Sequence, residues 1–184
     1  MFDVNISMDD IKILSIQKED IECVRNFLSF RNFINGNSKN EVNIDELYQR
    51  FLEYYISENE FFLKIISNNK LIGIIKGRIE FKNEGELWVG YFYVDSNALD
   101  KKENSMGNRI MSAIIKFFIE EYGINNFYTT ISDDDKQSLK LWQEIGYKIL
   151  REAQNYYEIN GISKDMLILK KVNAFSADFH NSKR

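Results

Sequence analysis

The sequence predicts an α/β fold: a mixed, mostly antiparallel sheet with one central parallel pair and helices on both faces. Three observations carry this. First, three apolar strand-like runs follow one another across two turn signals, Asn68-Asn69 and Asn83-Glu84-Gly85. Second, the third run leads through a polar loop into an apolar helix and then another strand, a crossover that makes the two strands parallel. Third, Asn160-Gly161 separates the last two runs as a hairpin turn. The pattern shows no repeat and no linker, so 1–172 reads as a single domain and 173–184 as a polar tail.

Taken in order, residues 11–16 form a short apolar strand. Ile21, Val24, Phe27 and Leu28 then recur at helical spacing. Asn35-Gly36-Asn37-Ser38 is a loop. Asn43 opens a second helix, with Glu46 three residues on as a capping box and Leu47, Phe51 and Tyr54 on its apolar face. Strands over 60–66 and 71–80 flank Asn68-Asn69, and Glu86–Val94 is the third strand of this meander. The helix over 107–122 is apolar except for a stripe of Arg109, Ser112, Lys116 and Glu120, so it lies mostly buried on the sheet, and Gly123 ends it. A strand follows over 127–131. The next helix starts near Asp134, with Gln137 completing a capping box, and closes at Gly146-Tyr147. Strands over 147–150, 155–159 and 164–170 finish the sheet.

Composition narrows the function. A chain of 184 residues with 44% apolar and 28% charged residues can bury a real core. The net charge is −4, which argues against nucleic-acid binding, since that requires a basic face. No apolar run approaches the ~20 residues of a membrane span, and Met1-Phe2-Asp3-Val4-Asn5 is not a secretory signal. One cysteine, Cys23, forms no internal disulfide framework and no cysteine-based zinc site. These features favour the cytoplasm, with no membrane partner. Cys23 lies within an apolar helix and reads as a core thiol. The sole histidine, His180, is in the tail, which disfavours a histidine-based dyad. Asp133-Asp134-Asp135 reads as a helix cap and not as a metal site, because no Gly and Glu follow at calcium-loop spacing.

The stretch from Glu86 to Lys170 carries the chemistry. The polar loop Lys102-Glu103-Asn104-Ser105-Met106-Gly107 runs into a helix N-terminus. Unpaired N–H groups and the helix dipole make such a junction an anion site. In a sheet with parallel strands the ligand lies beyond their carboxyl ends, here 94–96 and 132–135.

This layout resembles the acyl-CoA site of the GNAT superfamily of N-acetyltransferases, over about residues 11–170. The family's pyrophosphate loop, Gln/Arg-x-x-Gly-x-Gly/Ala, falls on Lys102, Ser105 and Gly107, of which only Gly107 is a true match. Lys102 keeps the charge without the guanidinium fork. Downstream, Asp135, Ser138, Trp142 and Gly146-Tyr147 keep the family spacing, with Asp135 in place of an Asn and Trp142 in place of a Tyr. The hairpin 156–165 resembles the branch that includes acetyltransferases of ribosomal-protein α-amines and many small-amine enzymes.

The resemblance implies a parallel pair splayed at a bulge near Gly90, acetyl-CoA as co-substrate, and transfer to a primary amine by direct attack. Backbone at Asn104, Ser105, Met106, Gly107 and Asn108, with Lys102, would hold the pyrophosphate. N–H groups near Tyr93 and Val94 would hold the acetyl carbonyl. Asp135, Ser138 and Trp142 would line the cofactor arm. Glu86 is the candidate base, one pleat from Trp88, where the family's glutamate usually falls. Trp142 has no transferable acidic proton, so Tyr147 is the candidate acid for the leaving thiolate. The acceptor is a small-molecule amine or a peptide N-terminus, with the small amine favoured, and the sequence admits a homodimer. The rival reading is a non-catalytic acyl-CoA-binding regulatory module, suggested by Ser105, the long loop and Trp142.

Overall fold

The structure, a computed structural model, describes residues 2–34, 42–81, 85–95, 106–159 and 161–173. The strands are β1 (Asn5–Met8), β2 (Ile11–Ser15), β3 (Glu60–Ser67), β4 (Lys70–Glu80), β5 (Glu86–Val94), β6 (Asn126–Ser132), β7 (Lys148–Ile159) and β8 (Ile162–Val172). The helices are α1 (Ile21–Ile34), α2 (Ile44–Ile56), α3 (Met106–Tyr122) and α4 (Lys136–Glu144). The strands form one sheet in the order β1-β2-β3-β4-β5-β6-β8-β7, mixed and mostly antiparallel, as expected. By packing the chain divides into two compact units, Met1–Gly77 with Tyr91–Ala98, and Arg78–Gly90 with Leu99–Arg184.

In the first unit, β1 is a strand the sequence reading omits. It is four residues long and pairs with β2 across Asp9, whose φ of 49° makes the turn. Buried Ser15 ties the preceding segment down by accepting from Val4 N–H (2.9 Å) and donating to the Phe2 carbonyl (2.8 Å). The β3–β4 turn forms at Asn68 and Asn69, with φ of 48° and 60°, the left-handed pair that a two-residue hairpin requires. Asn43 caps α2 by accepting from the N–H groups of Asp45 and Glu46.

The core of this unit joins Ile21 and Val24 of α1, Leu47, Phe51 and Tyr54 of α2, Phe62 of β3 and Ile74 of β4. Cys23, expected in the core, is exposed. The phase of Ile21 and Val24 turns the position between them to solvent.

In the second unit, β5 and β6 are parallel, with Glu86 opposite Asn126, Leu87 opposite Phe127, Trp88 opposite Tyr128 and Val89 opposite Thr129. The ladder ends at that last pair, where Thr129 Oγ1 donates to the Val89 carbonyl (3.1 Å). Buried Met106, Ile110, Met111, Ile114, Ile115 and Phe118 recur three to four residues apart along α3. Gly123 (φ 65°) ends α3, with Ile124 N–H reaching back to the Phe118 carbonyl and Gly123 N–H to that of Ile119.

Two sequence expectations change here. Asp135, not Asp134, caps α4, accepting from Ser138 N–H at 2.9 Å. Asp134 is drawn away by an ion pair with Lys164 and by the Ser132 hydroxyl. Residues 147–150 and 155–159 are not separate strands but parts of β7, which pairs with β8 through two register shifts. Asn155 (φ 49°) sits in the second shift, its N–H held by the Asp165 carboxylate at 2.8 Å. The Asn83-Glu84 part of the turn before β5, the Asn35-Gly36-Asn37-Ser38 loop, Asn160 and residues 174–184 lie outside the described residues.

Gly73 of β4 sets how closely β4 approaches β5. A Cβ there would stand 2.6 Å from the Tyr93 carbonyl oxygen and 3.0–3.1 Å from side-chain carbons of Ile65 and Val94. Because the first obstacle is backbone, it cannot turn aside. Gly73→Ala is therefore expected to destabilise the protein by ~1–3 kcal/mol, read as a lower urea midpoint at unchanged m-value.

Candidate functional site

The sequence-predicted residues fall into both units. In the first, Tyr93 and Val94 end β5. Asp95 N–H donates to the Ile72 carbonyl (2.7 Å), which fixes this end of the strand against β4. Phe27 of α1 lies against Tyr93, with ring centroids 5.8 Å apart.

In the second unit, Met106, Gly107 and Asn108 form the first turn of α3. The N–H groups of a first turn have no intrahelical acceptor, and the macrodipole adds positive potential there. No acidic residue lies in that turn, so the helix's own side chains leave this potential uncancelled. Asn108 donates from its amide to Glu144 of α4 (3.0 Å), tying the start of α3 to the end of α4. Met106 is buried and Gly107 and Asn108 are half-buried. Lys102, Asn104 and Ser105 lie outside the described residues.

Asp135 and Ser138 are brought together, but on each other. Besides the cap, the Ser138 hydroxyl donates to the Asp135 carboxylate at 2.6 Å. Trp142 is 4% exposed and meets Tyr147 edge to face at 4.9 Å. Tyr147 is buried, its hydroxyl has no hydrogen-bond partner among the described residues, and burial pushes its pKa well above the usual tyrosine value. That makes it a poorer proton donor than an ordinary tyrosine. Lys171 donates to the Ile145 carbonyl (2.5 Å) and so caps α4, and burial lowers its pKa.

Glu86 is the first residue of β5, at the end remote from the β5–α3 connection, and is half-buried. The neighbouring position on the same face shows what sequence reasoning missed. Trp88 stacks on Tyr128 at 4.5 Å and 12°, and the Lys170 ammonium lies 5.2 Å from the Tyr128 ring centroid. The three residues form one row across β5, β6 and β8. The signal available in sequence was the period-two pattern within each strand, but the pairing register that aligns the strands is not written in it.

The comparisons with known proteins bear on this layout. The family model described as Acetyltransferase (GNAT) domain matches residues 13–168. The chain belongs to the GNAT acetyltransferase family. It is accordingly an N-acetyltransferase acting on amino groups, with acetyl-CoA as co-substrate. No curated protein sequence matches it significantly.

Solved GNAT structures share its fold. A ribosomal-protein-S5-alanine acetyltransferase from Vibrio fischeri is 18% identical, with a TM-score of 0.74, covering 94% of this chain and 98% of that one. A spermidine N-acetyltransferase from Vibrio cholerae, in complex with CoA and spermine, is 13% identical, with a TM-score of 0.73 and coverage of 89% and 95%. The microcin C7 self-immunity acetyltransferase MccE, in complex with acetyl-CoA and AMP, is 19% identical, with a TM-score of 0.74 and coverage of 90% and 94%. Among the described residues no helix is long and apolar enough to cross a membrane.

The buried Tyr147 hydroxyl yields a stability test. A tyrosine whose folded pKa is raised contributes stability that is fully present below the unfolded value of ~10 and lost as pH rises above it. Tyr147→Phe is expected to be as stable as the wild type at about pH 7, or more stable by up to ~1–3 kcal/mol, since it removes a buried hydroxyl that no described residue satisfies. It should also lose less stability than the wild type between about pH 9 and pH 11. Urea unfolding across that range checks both.

Proposed function

We propose that this GNAT enzyme transfers an acetyl group from acetyl-CoA to a small primary amine by direct attack, with the pyrophosphate at the N-terminus of α3. The observation that carries the cofactor assignment is the first turn of α3, with Gly107 as its second residue and no acidic side chain in the turn. In this reading the backbone at Asn104, Ser105, Met106, Gly107 and Asn108, with Lys102, receives the pyrophosphate, while Asp135, Ser138 and Trp142 lie along the cofactor arm. N–H groups at Tyr93 and Val94 receive the thioester oxygen, on which negative charge grows as the amine attacks.

A small acceptor is favoured by Phe27, whose ring lies against Tyr93 from α1 and adds bulk beside that part of β5. A peptide N-terminus is the second reading, supported by the likeness to the ribosomal-protein-S5-alanine acetyltransferase.

The attacking amine forms the C–N bond, the tetrahedral species collapses, and the C–S bond breaks with the electron pair leaving on sulfur. The thiolate needs no side-chain acid, since a reference thiol has a pKa of only ~8.5. The amine's proton passes to solvent, because Glu86 stands at the far end of β5 and Tyr147 is buried with a raised pKa.

Two predictions follow from this assignment. Acetyl-CoA should raise the Tm by mass action. Gly107→Glu should abolish that shift while leaving the protein folded, since an acidic residue suits a helix N-terminus but fills and repels at a pyrophosphate site. A folded Gly107→Glu protein that keeps the full shift overturns the placement. Separately, Glu86→Gln is expected to keep turnover within about threefold of wild type, whereas a loss of ~10²-fold at unchanged acetyl-CoA affinity would assign the proton to Glu86 acting through water.

A further inference from the structure

Lys76 of β4 is a half-buried cation without an ion pair among the described residues. Its ammonium lies 4.3 Å from the centroid of the Tyr54 ring, on the face of the first unit that carries α2. The ring contact offsets part of the cost of taking the charge out of water, but it supplies no counter-charge. Among the described residues, Arg50 and Glu53 of α2, both exposed, act on Lys76 in opposite directions. Desolvation lowers the Lys76 pKa, with Arg50 adding to it and Glu53 opposing it. Among the described residues this leaves one positive charge without a counter-charge of its own.

The position of that charge gives it meaning. β4 and β5 run side by side, with the Ile72 carbonyl bonded to Asp95 N–H and Gly73 against the Tyr93 carbonyl. Moving from Gly73 to Lys76 runs ~10 Å along β4, which brings Lys76 abreast of the segment of β5 that precedes Tyr93. Tyr91 of that segment packs against the same α1–α2 core that holds Tyr54. Lys76 therefore belongs to the strand next to the one assigned above to the thioester, and its ammonium lies on the face covered by α1 and α2.

We infer that Lys76 is a specificity-determining residue that selects an amine acceptor carrying an anionic group, a carboxylate or a phosphate, and disfavours a polyamine. The inference rests on the placement of the thioester at Tyr93 and Val94. An anionic group gains a charge-assisted contact with an ammonium already ordered on Tyr54 and partly stripped of water. A polyamine brings further positive charge to the same place and is repelled.

The test measures kcat/KM of wild type, Lys76→Met and Lys76→Arg with two matched pairs and one polyamine. The pairs are alanine against alaninamide and phosphoethanolamine against ethanolamine, and the polyamine is spermidine. Each variant-to-wild-type ratio cancels the intrinsic basicity of the amine. The expected result is that Lys76→Met loses about 10–100-fold for the anionic member of one pair and little for its neutral partner. The alanine pair reports a carboxylate acceptor and the phosphoethanolamine pair a phosphate. Lys76→Arg should retain the preference, and spermidine should gain or hold in Lys76→Met. In the wild type, KM for the preferred anionic acceptor should rise with salt, a reading that needs no variant.

No preference for either anionic member, a preference that survives in Lys76→Met, or spermidine as the best substrate overturns the inference. In each of those cases an acetyl-CoA-induced rise in Tm leaves the cofactor assignment standing. Absence of that rise in the wild type overturns the assignment and this inference with it.

Discussion

Two strands that run in the same direction cannot be joined by a turn, and most of this fold follows from that constraint. β5 and β6 are parallel neighbours, so the chain must travel back the length of a strand before β6 can begin. α3 makes that return. At 17 residues it spans ~26 Å, about the length of the nine-residue β5. The requirement also fixes which end of the helix lies where. Its N-terminus comes after the carboxyl end of β5, the side on which parallel strands collect ligands. The positive end of α3 is thus a by-product of strand direction and not a separately built feature.

The two ends of the proposed reaction handle charge by different means. At the start of α3 the positive potential comes from peptide dipoles, which do not titrate and cannot be removed by changing a side chain. At Lys76 it comes from a single ammonium held on an aromatic ring. The backbone device suits a cofactor that never varies. The side-chain device is one substitution away from a different preference, which suits the half of the reaction in which related enzymes act on different amines.

The order of elements was legible because it depends on local signals. The Asn68-Asn69 turn, the Asn43 cap and the apolar spacing of α3 each act within a few residues, and each is present as read. What was not legible depends on partners distant in sequence. β1 is four residues long and exists only by pairing with β2. Asp134 loses the capping role to Asp135 because Lys164, thirty residues on, claims it. The same limit applies to the candidate site. The first turn of α3 could be found from its loop and glycine. Lys76 and the Trp88–Tyr128–Lys170 row could not, since strand register and helix packing bring those residues together.

β7 has a consequence for how copies of this protein behave towards one another. It is the last strand of the sheet, twelve residues long, and exposes Ile149, Leu150 and Tyr156. A straight strand of that length and character would be a template for strands of other molecules. β7 is not straight. Leu169 and Ile168 are consecutive on β8, yet their partners Ile149 and Arg151 are two apart, so Leu150 is an extra residue, and a second irregularity lies between Ala153 and Tyr157. Each interruption breaks the even spacing of outward N–H and C=O groups and increases the local twist. A foreign strand could align with only a few residues before losing step. The irregular edge is therefore a poor template for edge-to-edge pairing with a regular strand.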